Sequence, residues 1–233
     1  MYPVAWLRPF LILAGVLMAA PGCGQEPPAT PPPTGDDIPL PAPGVTGAMS
    51  VEEAFHRRRS VRAFGSDPLE SATVGQLLWG AQGVSDPRGL RTAPSAGAMY
   101  PLEILVLIGA VDGVDAGVYR YRPAAHTLVP VASGDRRESV AEASLGQEWM
   151  AEAPVLLVVA AEMAPTAGRY GERAPRYVHM EVGHVAQNVY FHATALGRGI
   201  TMVGAFQDGT LARLLDLGPG VVPLAILPVG RPR

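Results

Sequence analysis

The sequence feature that most constrains the fold is an uninterrupted apolar segment at residues 155–161, VLLVVAA. Its β-branched and aliphatic residues suit a β-strand that is buried on both faces. Helical patterns interleave with this and other strand-like segments, so the sequence predicts an α+β domain with a mixed central sheet flanked by helices. The other predicted strands cover residues 102–108, 118–121, 200–203 and 221–229.

Helix signals separate the predicted strands. Ser50 and Glu53 form a capping box, which predicts a short helix immediately after Ser50. Ser71 is predicted to cap a second helix, which ends at Gly83. The apolar face of that helix consists of Val74, Leu77, Leu78 and Ala81. Further helices are predicted at residues 136–145, at 177–196 and in a short segment after Asp208.

The amino-terminal part of the chain predicts a targeting segment and a linker. Residues 10–20 form an apolar run that is short for a bilayer span and fits the hydrophobic region of a signal peptide, here residues 1–23. Cys23 follows small residues in a pattern that resembles a bacterial lipobox, so we predict an exported protein that is lipid-anchored to the cell envelope. Residues 24–47 are dense in proline and predict a semi-rigid linker, which leaves residues 48–233 as the folded domain.

The composition excludes several classes of protein. One cysteine in 233 residues excludes a disulfide framework and a cysteine-rich zinc site. The formal net charge of -3 shows no basic excess, so no nucleic-acid partner is expected. All 18 basic residues are arginine. The lack of lysine excludes a Schiff-base lysine, a P-loop lysine and a lysine general base.

Two motifs resemble catalytic sites but lie in the wrong context. Residues 93–97, APSAG, come close to a nucleophile elbow around Ser95. Such an elbow lies between a strand and a helix, whereas residues 84–98 predict an ordered loop, so a serine hydrolase is the weaker alternative. Glu-x-x-His pairs occur at residues 53–56 and 181–184. A di-iron site made from such pairs needs a four-helix bundle, so no metal site is predicted.

An arginine-rich segment points to an anionic ligand. Residues 57–62, RRRSVR, follow the first predicted helix, and arginine together with the Ser60 hydroxyl suits a phosphate. A solvated basic run is the alternative. Arg231 lies beyond the last predicted strand. The small residues at positions 95–97 would let backbone N–H groups approach a flat ring closely.

Taken together, these segments resemble the flavin-dependent nitroreductase family, and most closely its SagB-type dehydrogenase branch, which includes oxidases of azoline rings in peptides. The resemblance rests on the order of the segments more than on any one of them, and it spans residues 51–232. The segments are RRRSVRAF (57–64), LLWGAQGV (77–84), RTAPSAGAMYPLEI (91–104), GVYRY (117–121), APVLLVVAA (153–161), RYGERAPRYVHMEVGHVAQNVY (169–190), GAFQD (204–208) and PLAILPVGRP (223–232).

The resemblance implies a homodimer with FMN at the subunit interface. Three groups of residues match family positions around the cofactor: one near the phosphate and ribityl chain, a cation near the pyrimidine end, and backbone along the ring and opposite N5. A positive group near the pyrimidine would stabilise negative charge on the reduced ring. In that order the residues are Arg58, Arg59, Ser60 and Arg231; Arg62; and Ser95, Ala96, Gly97, Gly204 and Ala205.

The implied activity is a ping-pong transfer of two electrons through flavin N5, from NAD(P)H to a small-molecule electron acceptor. Arg169 and Tyr170 stand where the azoline-oxidising members carry Lys-Tyr. Arginine does not give up its proton in proteins, so azoline oxidation is not expected. Tyr170 can donate a proton or pack at the dimer interface. The main rival is a protein that binds flavin or another planar ligand without turnover.

Overall fold

The structure is a computed structural model that describes residues 36–233. Seven strands form one sheet in the order β1-β4-β3-β2-β5-β7-β6. The strands are β1 (Ile38–Pro39), β2 (Leu102–Ile108), β3 (Gly117–Arg122), β4 (Thr127–Ser133), β5 (Val155–Glu162), β6 (Gly199–Ile200) and β7 (Val221–Gly230). The α-helices are α1 (Val51–Arg57), α2 (Ser71–Gln82), α3 (Arg137–Ala143), α4 (Met163–Tyr170), α5 (Ala174–Ala195) and α6 (Asp208–Leu214). Short 3₁₀ turns lie at Ala96–Ala98, Glu148–Glu152 and Gly171–Arg173.

Strand β5 is buried on both faces, as the sequence predicts. Successive side chains of a strand point to opposite faces of the sheet. Val155, Leu157 and Val159 therefore join a core cluster with α2 and α5. Leu156 and Val158 join a second cluster with α3 and α6 on the other face. The α+β class with helices on both sides of the sheet is confirmed.

The strands pair in one sense. Each of the six pairings between named strands within residues 36–233 is antiparallel. The parallel component of the predicted mixed sheet is confined, in this part of the chain, to an isolated bridge between Leu69 and Val111. The helices that interleave with the strands lie in connections that here return the chain to antiparallel neighbours.

The predicted helices are present, with one difference at a cap. The Ser50 side chain accepts a hydrogen bond from the Glu53 amide at 3.1 Å, which confirms the serine half of the capping box, whereas the Glu53 carboxylate pairs with Arg57 at 2.7 Å. Ser71 is the first helical residue of α2 rather than its cap. The cap position belongs to Glu70, whose carboxylate accepts a hydrogen bond from the Thr73 hydroxyl at 2.9 Å. The predicted apolar face of α2 is buried.

Two elements have no counterpart in the sequence-based expectation. Strand β4 contains Pro130, which opposes an irregularity in the register of β3 between Val118 and Tyr119. Proline lacks an amide donor and is found at bulges and edges, so the segment does not look like a strand in the sequence. Helix α4 is short and holds Pro165 and Gly168, both poor helix formers.

The end of the predicted linker belongs to the folded domain. We call residues 36–47 the strap. Ile38 and Pro39 pair with β4, and Leu40 is buried. The Gly44 amide donates to the Gln76 side chain at 2.8 Å, and that side chain donates to the Gly44 carbonyl at 3.0 Å. The predicted boundary at residue 48 is therefore too late, because apolar residues among the prolines find partners on the sheet and on α2.

The rest of the predicted amino-terminal organisation lies outside the described residues. This applies to the signal segment at residues 1–23, to the lipidation site at Cys23 and to residues 24–35 of the linker. Within residues 36–233, no helix is both long enough and apolar enough to cross a membrane.

Candidate functional site

The segment after α1 and helix α5 together form an arginine cluster, which consists of Arg58, Ser60 and Tyr190. The Arg58 guanidinium carbon lies 5.3 Å from the centre of the Tyr190 ring, within the range of a cation–π contact. The Tyr190 hydroxyl accepts a hydrogen bond from the Met202 amide at 2.9 Å and lies 3.2 Å from Ser60 Oγ. The buried Tyr190 side chain therefore holds the Ser60 hydroxyl in place beside the arginine.

The carboxyl terminus of the domain converges on the same segment. The Val61 amide donates to the Ile200 carbonyl at 2.9 Å. A Cβ built on Gly199 would lie 2.7 Å from Val61 and 3.3 Å from Pro232, so only glycine permits this approach. The two predicted phosphate-binding segments, one before Val61 and one at Arg231, thus meet across Gly199 although they lie at opposite ends of the domain.

Most of the arginines in these segments have no anionic partner. Within residues 36–233, Arg58, Arg62 and Arg231 form no ion pair with a carboxylate. Arg59 differs from them, because its guanidinium donates to the His56 and Arg58 carbonyls at 2.9 and 2.7 Å. Arg59 therefore caps the end of α1. The sequence predicts Arg59 near the phosphate but does not predict this contact.

The predicted turn opposite N5 lies next to the arginine cluster. Val203 and Ile226 exchange backbone hydrogen bonds at 2.8 and 2.9 Å, and the Ala205 carbonyl accepts one from Gln147 at 3.2 Å. Both Gly204 and Ala205 are exposed, and a Cβ on Gly204 would meet nothing within 4 Å. The turn is held at both ends and leaves open space in front of its glycine.

A second group of predicted residues forms a loop cluster, which consists of the loop Ser95–Gly97 with Arg169 and Tyr170. Gly97 has a φ of 61°, a conformation that favours glycine. A Cβ on Gly97 would lie 2.7 Å from the Tyr170 hydroxyl and 2.9 Å from Arg169 Nη1. Arg169 Nη1 also lies 3.4 Å from the Gly97 carbonyl. The structure therefore places both predicted catalytic residues against the predicted ring-binding loop.

Glu181 on α5 anchors this loop from below. The nearly buried Glu181 carboxylate accepts a hydrogen bond from the Ala96 amide at 2.9 Å. Burial raises the pKa of Glu181, and the Ala96 hydrogen bond offsets part of that rise. Ser95 Oγ accepts a hydrogen bond from the Tyr100 amide at 2.8 Å. No histidine in residues 36–233 bonds to Ser95, whose hydroxyl lies instead beside the Glu181 carboxylate and lowers the pKa of that group.

A half-buried arginine supports the loop from its other end. Arg91 donates to the Gln82 side chain at 2.8 Å and lies 4.6 Å from the centre of the Tyr100 ring. Burial lowers the pKa of Arg91, and the charge of Glu181 opposes that shift. Sequence reasoning missed Arg91 and Tyr190 and gave Glu181 no role at the loop. A carboxylate among the apolar residues of a helix was the available signal, because buried charges are nearly always paired.

The arginine cluster and the loop cluster lie on opposite flanks of α5. Tyr190 follows Glu181 by nine residues, which turns the side-chain direction by about 180° along an α-helix. Both residues flank the apolar stripe of α5 that packs into the core, a stripe that includes Val182, Val185 and Val189. Within one chain, the phosphate-side residues therefore lie together on one flank of α5, and the ring-side residues lie together on the other.

Fold and site define an α+β protein that has unpaired arginines on one flank of α5 and an exposed glycine loop on the other. The sequence profile of the nitroreductase family matches residues 56–231, and the chain belongs to this family. The family membership predicted from the sequence is confirmed.

Individual relatives agree with this assignment. A nitroreductase-family protein of Methanocaldococcus jannaschii is 44% identical over 197 residues, which cover 84% of this chain and 98% of that protein. A crystal structure of a nitroreductase-family protein from Ralstonia eutropha has a TM-score of 0.76 at 28% identity and matches 85% of this chain and 90% of that one. The Escherichia coli microcin synthetase complex McbBCD, with truncated pro-MccB17 bound, contains a chain with a TM-score of 0.65 at 26% identity; the match covers 83% of this chain and 77% of that one.

Proposed function

We propose that this protein is an FMN-dependent oxidoreductase that takes two electrons from NAD(P)H and passes them to a small-molecule acceptor, which binds after the oxidised nicotinamide has left. One observation carries the proposal. The segments that carry Arg58 and Arg231 meet at Gly199, through Val61 and Pro232, and neither arginine has a carboxylate partner within residues 36–233. Unpaired arginines beside an oriented hydroxyl suit a phosphate.

The residues present fit FMN. The arginine cluster and Arg231 would hold the phosphate and the ribityl chain, and Arg62 would face the pyrimidine end. The loop Ser95–Gly97 carries small side chains, so its backbone can approach the ring closely, and the open space in front of Gly204 would let a backbone amide of that turn reach the ring. Bound FMN would supply two-electron transfer through N5.

The side chains near the ring have separate tasks. The Tyr170 hydroxyl lies at the loop and can donate a hydrogen bond or a proton to a bound acceptor. The Arg169 guanidinium can bind an anionic group of the acceptor, and arginine does not act as a base in proteins. Tyr190 holds the Ser60 hydroxyl toward the phosphate, and Glu181 holds the loop through the Ala96 amide.

A homodimer is part of the proposal. The arginine cluster and the loop cluster lie on opposite flanks of α5, so a second copy is the natural source of the loop that completes each flavin site. The outer surface supports this, since Val51, Phe55 and Met180 are large apolar residues that remain exposed on α1 and α5. Light scattering on the FMN-loaded protein should give twice the mass of one chain, and a monomer that retains FMN would contradict the proposal.

The export and lipid-anchoring of the chain are a separate proposal, which rests on the sequence alone. Its basis is the apolar run at residues 10–20 followed by Cys23. Replacing Cys23 with Ser should move the protein from the membrane fraction to the soluble fraction. Unchanged fractionation would contradict lipidation at this cysteine.

Titration of FMN into the apo protein tests the proposed function directly. Apo protein should bind FMN, and NAD(P)H should bleach the bound flavin, which separates an enzyme from a passive flavin carrier. In Arg58→Ala or Arg231→Ala, FMN affinity should fall about 10- to 150-fold, since a hydrogen bond to a charged group contributes roughly 1.5–3 kcal/mol. Arg88→Ala is the matched control, because Arg88 is an exposed arginine paired with Asp86. Wild-type affinity in both site variants would place the phosphate elsewhere.

A further inference from the structure

A cavity of about 550 Å³ lies between the end of the strap, α1, α2 and the carboxyl-terminal end of α5. Small-molecule sites have volumes of roughly 300–1,000 Å³. Most of the lining is apolar, and it includes Trp79, Phe191, Val45, Met49 and Leu196. Among the described residues that line the cavity, none is an aspartate, a glutamate or an arginine. The cavity therefore suits an uncharged ligand, because a charge that is buried without a partner is costly.

Two polar side chains in the lining, Gln76 and His192, are held in a fixed geometry. The Gly44 amide donates to Gln76 Oε1 at 2.8 Å, which sets the orientation of the Gln76 amide group. Gln76 Nε2 donates to the Gly44 carbonyl at 3.0 Å and lies 3.4 Å from His192 Nδ1. Because Gln76 Nε2 can only donate, His192 Nδ1 is the acceptor, and the neutral ring carries its proton on Nε2.

The His192 ring is fixed in position and keeps one donor free. A Cβ built on Gly80 would lie 2.4 Å from this ring, so the glycine lets the ring pack against α2. The Trp79 ring packs edge to face with it, with centroids 5.9 Å apart. Burial lowers the pKa of His192, which keeps the ring uncharged at neutral pH. Within residues 36–233, His192 Nε2 has no hydrogen-bond acceptor, so its N–H is available to a ligand.

The cavity shares no residue with the proposed flavin site. The arginine cluster, the loop cluster, Arg62 and Arg231 contribute none of the described residues that line it. Tyr190 of the arginine cluster precedes His192 by two residues, which turns the side-chain direction by about 200° around α5. A ligand in the cavity and FMN would therefore not compete for the same side chains.

We propose that this cavity is a binding site for an uncharged, largely apolar molecule that carries a carbonyl oxygen. The carbonyl oxygen accepts a hydrogen bond from His192 Nε2, and the apolar body packs against Trp79 and Phe191. The strap forms one wall of the site, since Gln76 ties Gly44 to α2. An anion of the same shape binds weakly, because the lining offers no cation to pair with it.

Two probes of nearly equal shape test the ligand class. 2-Naphthamide is neutral and carries a carbonyl oxygen, and 2-naphthoate is its anionic counterpart. Isothermal titration of the full protein at neutral pH, with and without saturating FMN, should show at least about 10-fold tighter binding of the amide. The amide affinity should be the same with and without FMN. Failure to bind FMN would contradict the proposed function alone, because the titrations without FMN still measure the cavity.

Variants assign the binding to the cavity. Ala195→Trp and Thr46→Trp fill it from two exposed positions, and each should weaken amide binding at least about 10-fold. Ala167→Trp is the matched control, because Ala167 is an exposed alanine on α4 that does not line the cavity. His192→Phe keeps a ring, removes the N–H and should weaken amide binding about 2- to 10-fold.

Three outcomes would overturn the inference. The first is equal or tighter binding of 2-naphthoate in the part of the binding that Ala195→Trp removes. The second is amide binding that survives in both tryptophan variants. The third is exclusion of both probes by the wild-type protein, which would assign the cavity to the contact between two copies of the chain.

Discussion

The strap and the arginine cluster differ in how their charged side chains are paired. On the strap side, Arg122 donates to Asp37 at 2.9 Å, and the Asp37 side chain is only 2% exposed. His126 lies 3.0 Å from the Pro41 carbonyl and 2.9 Å from the Tyr121 hydroxyl. On the other side, Arg58 has a tyrosine ring and no anion within residues 36–233.

This difference distinguishes arginines that stabilise the fold from arginines that are available to bind a ligand. A buried charge is tolerated when its partner is present, and removing that partner is strongly destabilising. An exposed, unpaired arginine contributes little to folding, so its loss should appear in binding instead. The predictions below test this division, beginning with the largest effect.

Arg122→Ala should lower the free energy of unfolding by about 3 kcal/mol, because it removes the 2.9 Å ion pair of the nearly buried Asp37 carboxylate. Urea unfolding at neutral pH measures the loss. Arg62→Ala should change the unfolding free energy by less than about 0.5 kcal/mol, as expected for a surface residue. The double variant Asp37→Ala/Arg122→Ala should recover part of the stability, since neither charge is then stranded. An unchanged free energy of unfolding in Arg122→Ala would contradict the division between the strap and the arginine cluster.

Sequence predicts the fold well where the signal is local. The strand at residues 155–161 is predicted correctly because seven consecutive apolar residues need burial on both faces. The strap and β4 are missed, since proline masks Ile38 and Leu40 in one and interrupts the other at Pro130. Their pairing depends on contacts between residues that are far apart in the chain, which local patterns do not encode.

The same division applies to the candidate site. Arg58 and Ser60 stand in one short motif, so the sequence alone groups them as candidates for the same ligand. Tyr190 lies 130 residues from Ser60, and Glu181 lies 85 residues from Ala96, so their roles become visible only in the fold. Arg59 was grouped with its neighbours in the motif, yet the structure uses it at the end of α1, because a helix terminus leaves carbonyls without partners.

Gly97→Ala tests whether the close contact at the loop cluster is needed for ligand binding as well as for stability. A left-handed φ costs an alanine roughly 1–2 kcal/mol, and the new Cβ would also displace the Tyr170 hydroxyl and Arg169 Nη1. Gly197→Ala is the matched control, because Gly197 has a φ of 65° and its Cβ would meet nothing within 4 Å. Both variants should lose similar stability in urea unfolding. Only Gly97→Ala should also lose affinity for FMN, whose ring this loop is proposed to face; an equal loss in both variants would mean that the contact with Arg169 and Tyr170 has no role in binding.

Glu181 does not fit the division between buried charges that stabilise the fold and exposed charges that bind a ligand. It is a buried carboxylate, yet it lies on the ligand side of the molecule. Its pKa is raised by burial, so the folded state binds the proton more tightly than the unfolded state does. The stability that this proton contributes is complete below the unfolded-state pKa and is lost as the pH rises through the raised folded-state pKa. Glu181→Gln keeps an acceptor for the Ala96 amide and removes the titration.

The stability of Glu181→Gln relative to wild type should therefore increase as the pH rises from the ordinary carboxylate range toward neutrality. The effect is the smallest of the three, under about 1 kcal/mol, the scale of one neutral hydrogen bond. Urea midpoints at pH 4, 5, 6 and 7 measure it, and the exposed Glu172→Gln is the matched control, because solvent screens its charge in both states. Parallel pH profiles for wild type and Glu181→Gln would show that this carboxylate is solvated in solution, and the loop would then need another anchor than the Glu181–Ala96 hydrogen bond.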